Sequence, residues 1–138
     1  MAEFEVDMSK VLEFANPGSF YSWLETHHDI EDNVWVKIHK VKSRLPTVTP
    51  EQAIEMALCW GWIDGLRKGF DDRSFLQRYS RRRPSSNWSE INARTVRRLV
   101  VSGYMRPAGL AAVRRGMERG KWPANVPAIS LNLPDATA

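Results

Sequence analysis

The sequence predicts an α+β fold: a small antiparallel or mixed sheet containing a β-hairpin, packed against about four helices. Three observations carry this expectation. Residues 34–39 alternate Val34, Val36 and Ile38 with Trp35, Lys37 and His39, which is the two-residue period of a half-buried strand. Thr49-Pro50-Glu51-Gln52 and Pro107 mark helix starts. Trp62 to Phe70 and Ser74 to Arg82 read as two strands joined by Asp71-Asp72-Arg73.

In chain order, Val11 to Phe14 reads as a short strand, and the turn Asn16-Pro17-Gly18-Ser19 opens a helix that runs to about Thr26. Phe20, Trp23 and Leu24 give that helix one apolar face. The strand from Val34 to Val41 follows. Thr49 as N-cap, Pro50 in the first turn and Gln52 closing a capping box then open a helix whose inner face is Ile54, Ala57 and Leu58 and which Gly61 ends. After the hairpin, Arg83-Pro84-Ser85-Ser86 stops the sheet. A helix is expected from Asn87 to Ser89 onward, with Glu90 reaching back to Asn87. Its inner face is read as Trp88, Ile91, Thr95 and Leu99, with Arg94, Arg97 and Arg98 in water. Pro107 starts a last helix, with Leu110, Val113 and Met117 inward and an end near Gly120. The order of elements suits an α+β domain with its sheet covered on one face. The division expected is one domain over residues 1–122 and a Pro-rich strap or disordered tail over 123–138.

The 138 residues suffice for one core, and six Trp and five Phe argue against intrinsic disorder. No apolar run is long enough to span a bilayer, and Met1 to Lys10 lacks the pattern of a secretory signal. A single cysteine, Cys59, excludes an internal disulfide and fits a reducing compartment. A cytoplasmic protein is expected.

The net charge of +4 conceals a division. Residues 1–66 carry five Lys or Arg against eleven Asp or Glu, whereas residues 67–106 carry eleven against three, and ten of those eleven are Arg. Arginine is favoured where a planar fork grips phosphate or carboxylate. The expected partner is an anionic small molecule or protein. The alternative is that the basic half docks on the acidic half of the same chain. Nucleic acid is a weaker candidate: the sequence pI is about 9.5 and Phe75, Tyr79 and Trp88 lie among the arginines, but no recognition motif is present.

The least ordinary stretch is Cys59-Trp60-Gly61-Trp62-Ile63-Asp64-Gly65, which sets two indoles and a carboxylate where a helix passes into a strand. The candidate ligand site takes Trp60, Trp62 and Trp88 as apolar walls and Lys68, Arg78 and Arg81 as anion grips. Asp64 is its orienting carboxylate, with Tyr79 and Asn87 alongside. The structural alternative is that Trp60 and Trp62 simply fill the core. A three-residue hairpin loop would set Asp64 opposite Ser80, whereas a loop of two or four would set it near Tyr79 and Arg81. An enzyme acting on an anionic metabolite through Asp64 or Cys59 is the second reading. Catalytic residues are otherwise unassigned, and no cofactor and no metal are expected. Adjacent His27 and His28 diverge on a helix, and there is no metal-ligand spacing, phosphate loop or nucleotide fingerprint.

Residues 57–80, ALCWGWIDGLRKGFDDRSFLQRYS, together with SNWSEIN at 86–92 and GYMRPAGLAA at 103–112, resemble the YdeI/OmpD-associated, or bacteriocin-protection, family. Arg106 stands where that pattern usually has Thr. The resemblance implies a bacterial cytoplasmic protein connected with protection against bacteriocins or antimicrobial peptides, and brings no catalytic residues with it. A cationic peptide would be repelled by the Arg-rich half and would have to meet the acidic N-terminal half.

Overall fold

The capping signals read from the sequence organise the first half of the chain in the computed structural model, which describes residues 5–131. Asn16 caps α1 (Pro17–His27) by accepting from Ser19 N at 2.9 Å. The reciprocal Thr49–Gln52 box opens α2 (Pro50–Cys59), with both hydrogen bonds at 3.1 Å. Strand β1 (Val11–Glu13) runs parallel to β2 (Asn33–His39), and α1 is the crossover between them. The hairpin strands β3 (Trp62–Gly69) and β4 (Ser74–Arg81) complete a four-stranded mixed sheet in the order β1-β2-β4-β3. Helices α3 (Glu90–Val101) and α4 (Pro107–Glu118) follow, so the molecule is the expected α+β fold. No helix among the described residues is long and apolar enough to cross a membrane.

Alternation decides which strand residues face the helices. Val34, Val36 and Ile38 of β2, Trp62 of β3 and Tyr79 of β4 join Phe20 and Leu24 of α1, Ala57 and Leu58 of α2, and Val96 and Leu99 of α3 in one apolar core. The opposite face of the sheet also carries two buried side chains, Trp35 and Leu76.

Helix α3 corrects two expectations. Its N-cap is Ser89, which accepts from Asn92 N at 3.1 Å, and Asn87 lies outside the helix. Its buried face is Ala93, Val96 and Leu99, while Ile91 is 75% exposed. Leu99 stays inward as expected, while Ile91 lies two residues, about 200° of helical rotation, before Ala93 and so faces solvent. Arg94, Arg97 and Arg98 are exposed, as read, but each has an internal partner. Arg94 lies 3.4 Å from Glu90, Arg97 donates to Pro127 O at 3.1 Å, and Arg98 meets Glu55 at 2.6 Å.

The hairpin contains a device that the sequence concealed. Near the turn the register is that of a three-residue loop, with Gly69 opposite Phe75 and Phe70 N donating to Ser74 O at 3.3 Å. Between Asp64 and Arg67, β3 holds one residue more than β4, a β-bulge, so Asp64 faces Tyr79 rather than Ser80. Gln77, buried at 4% exposure, closes the bulge. Its Nε2 donates to Gly65 O at 2.8 Å and Leu66 O at 3.1 Å, and its Oε1 accepts from Arg67 Nε at 2.9 Å. Gln77→Leu leaves these groups without that partner and is expected to lower stability by about 1–3 kcal/mol in urea denaturation. An unchanged midpoint would mean that the bulge holds without its amide. Asp71 fixes the turn by accepting from Arg73 N and from the Ser74 hydroxyl. Those two hydrogen bonds hold its carboxyl below the usual carboxylate range.

Beyond α4 the chain lies against the helices as far as residue 131. Trp122 Nε1 donates to Val126 O at 3.0 Å, Val126 is buried, and Ile129 and Leu131 pack on the core. Residues 132–138 of the expected strap or tail lie outside the described residues.

Candidate anion-binding cleft

The nine residues singled out from the sequence do not converge on one hollow. Trp62 is fully buried, with its Nε1–H donating to His28 O at 3.2 Å and its ring edge-on to Trp23. Tyr79 is buried against Phe20, and burial pushes its phenol well above the ordinary value. Both are core side chains, which corrects the reading of Trp62 as a pocket wall and of Tyr79 as a ligand-binding residue. Asp64, on the same face as Tyr79, is exposed on the outer strand, and no cation among the described residues lies within ion-pair distance. Lys68 pairs with Leu76 and Arg78 with Trp35, so both project from the face opposite Asp64. The bulge and the alternation of the strands scatter the grips and the carboxylate to two sides of the sheet. Asn87 is exposed, and its carbonyl accepts from Arg82.

Two of the nine, Trp60 and Arg81, meet in a different place. The turn at Gly61, with φ +81°, brings the end of α2 beside the end of β4. Gly61 O accepts from Arg82 N at 3.1 Å. A cleft of about 230 Å³ opens there, walled by Trp60, Gly61, Arg81 and Arg82 on one side. His28 and Asp29 after α1, and Ala108, Ala111 and Arg115 of α4, form the other walls. Three guanidiniums and one carboxylate line it, a formal charge of +2.

The electrostatics of this cleft are unbalanced. Arg81 donates to Glu31 O at 2.8 Å and lies 3.4 Å from Asp32. Arg82 is 5% exposed and stacks on the Trp88 ring at 3.8 Å, with Nη2 donating to Asn87 O at 2.8 Å. Trp88, the remaining expected wall, is thus a buried platform beneath Arg82. Burial lowers the Arg82 guanidinium to about 10, still far above neutrality, so a cation is retained inside the protein without a carboxylate in contact. Trp60 Nε1, Arg82 Nη1 and Arg115 Nε are all buried, and none has a hydrogen-bond partner among the described residues. Buried donors without acceptors cost about 1–3 kcal/mol each, and the residues that carry these three, Trp60, Arg82 and Arg115, all line the cleft.

Residues 12–112 match the model of a family described as a domain of unknown function, DUF8412. The chain belongs to that family. No curated protein and no solved structure matches it. In this DUF8412 chain the match takes in Trp60, Arg81 and Arg82 and ends within α4, short of Arg115.

Sequence reasoning missed Arg82 and Arg115 as site residues. Ala108, Ala111 and Arg115 repeat at three and four on α4, a stripe that leaves room for a ligand and ends in a guanidinium, and this was the available signal. Cys59 is fully buried, and desolvation pushes its thiol up to about 12, which favours the protonated form. His27 stacks on Trp23 at 4.6 Å, and the ring Nδ1 of His28 donates to Leu24 O at 2.9 Å. Among the described residues no three His, Cys, Asp or Glu side chains group as metal ligands.

Proposed function

We propose that this protein is a non-catalytic module that binds a dianionic group, such as a phosphate monoester, in the cleft of Trp60, Arg81, Arg82 and Arg115. The observation that carries the reading is that Trp60, Arg81, Arg82 and Arg115 line one cleft, and that Trp60, Arg82 and Arg115 each keep a buried side-chain nitrogen without a partner among the described residues. The lining charge of +2 matches a phosphate monoester better than a single carboxylate, and guanidinium forks suit its oxygens. The resemblance to YdeI/OmpD-associated proteins supports a bacterial cytoplasmic setting and a part in protection against bacteriocins or antimicrobial peptides. The module would act there through its anionic ligand rather than by gripping a cationic peptide in this cleft. The internal partners of Arg94, Arg97 and Arg98 leave less of the α3 arginine stripe for nucleic acid.

Calorimetric titration with inorganic phosphate tests the reading. Saturable binding is expected, weakened roughly tenfold or more in Arg82→Gln and in Arg115→Gln. Arg78→Ala, which alters a residue on the opposite face of the sheet, is expected to leave it unchanged. Equal heats in the wild type and both cleft variants, or the same response to chloride at matched ionic strength, would overturn it.

A further inference from the structure

We propose that a second, open cleft, bordered by α1, α2, α3 and the loop before α4, binds a monocarboxylate that carries an apolar body. This cleft holds about 790 Å³, in the range of small-molecule sites, and shares no lining residue with the anion cleft. Its apolar surface comes from Pro17, Met56 and Leu99, with the rings of Tyr21 and Tyr104 beside them. Its charged groups are Arg98, Arg106 and Glu55, and Ser22 adds a hydroxyl.

The two guanidiniums are not equivalent. Arg98 Nη2 donates to Glu55 at 2.6 Å and is neutralised there. Arg106 has no carboxylate within ion-pair distance among the described residues. It is instead positioned by neutral groups. Its Nε donates to Tyr21 Oη at 2.6 Å, and that hydroxyl donates in turn to Tyr104 O at 3.0 Å. The Trp60 and Tyr21 rings lie 5.3 Å and 5.5 Å from its guanidinium carbon. With Nε engaged, the outer edge of the fork makes no hydrogen bond to any described residue. An oriented guanidinium with no carboxylate in contact, beside apolar walls, recognises a planar carboxylate in two parallel hydrogen bonds. The lining charge is +1, so one carboxylate balances it, whereas a phosphate dianion would leave negative charge against an apolar surface. The chemistry indicated is that of a fatty or aryl carboxylic acid.

The test uses the full chain and two probes of equal length, octanoate and 1-octanol, followed by calorimetry. Octanoate is expected to bind one per chain and roughly tenfold or more tighter than octanol. Arg106→Gln is expected to remove that preference by weakening octanoate roughly tenfold, and Tyr21→Phe, which frees the guanidinium, to weaken it less. Arg82→Gln, in the other cleft, is expected to leave octanoate binding unchanged, so the two readings stand or fall separately. Non-saturating octanoate heats, or octanol binding as tightly as octanoate to the wild type, would overturn the proposal. An unchanged affinity in folded Arg106→Gln would do the same. Should Arg106→Gln lose its fold, the octanoate-to-octanol ratio of the wild type decides alone.

Discussion

Trp62→Ala is expected to cost about 3–5 kcal/mol of folding stability, whereas Asp64→Ala, two residues along the same strand, is expected to change it by no more than about 0.5 kcal/mol. The two side chains share a face of β3, so the contrast isolates depth from position. Trp62 is the largest fully buried side chain, meets Trp23 edge-on, and ties the end of α1 to the sheet through His28 O. Truncation opens a cavity in the middle of the core and leaves the His28 carbonyl without its donor. A single domain has about 5–15 kcal/mol in all, so the first variant should be only marginally folded and the second indistinguishable from the parent. Urea denaturation of both proteins, compared by midpoint at equal slope, measures it. A loss below about 1 kcal/mol for Trp62→Ala would show that the core does not depend on this indole.

Gly109→Ala should destabilise the protein by about 1–3 kcal/mol, against the usual sign of such a change. In an ordinary helix interior, Gly→Ala gains about 1 kcal/mol, because alanine loses less backbone freedom on folding. Here α4 crosses the end of α2 so closely that a Cβ at Gly109 would fall on the Cys59 carbonyl and 2.8 Å from Leu58 O. Both obstacles are backbone, and Cys59 O already accepts from Arg106 N at 3.0 Å, so neither moves without opening the junction. The clash must therefore outweigh the helical gain. Gly109→Val, with a larger β-branched side chain, should cost more. If Gly109→Ala instead raises the denaturation midpoint, the contact between α2 and α4 is looser than described. The same junction accounts for part of the GYMRPAGLAA run: Pro107 starts the helix, and Gly109 lets it seat.

What was legible in the sequence was local. The Thr49–Gln52 box, the Asn16 turn, the alternation at 34–39 and the Asp71 turn each declare themselves within a few residues, and each lies where it was read. What was missed depends on comparison between distant segments. The bulge at 65–66 is a mismatch in length between two strands, visible only once both are paired, and it undoes any inference of parity from the loop alone. Ser89 displaced Asn87 as the cap because both residue types can cap, and which one does so is decided by where Trp88 packs. The basic block was read as a surface that either meets a partner or neutralises the acidic half. Arg81 takes the second course and reaches Asp32, while its neighbour Arg82 takes neither and turns inward onto Trp88. Of the expected site only Trp60 and Arg81 line the cleft, because convergence there is built by α4, whose approach is set by Gly109.

The ends of the sheet carry one more implication. One border, β1, offers three residues, too few to template an incoming chain. The other border, β3, is longer, but the extra residue near its middle bends it. Among the described residues neither margin gives a second molecule a straight run of backbone to zip onto, so the kink that sets Asp64 opposite Tyr79 also guards the sheet against edge-to-edge aggregation.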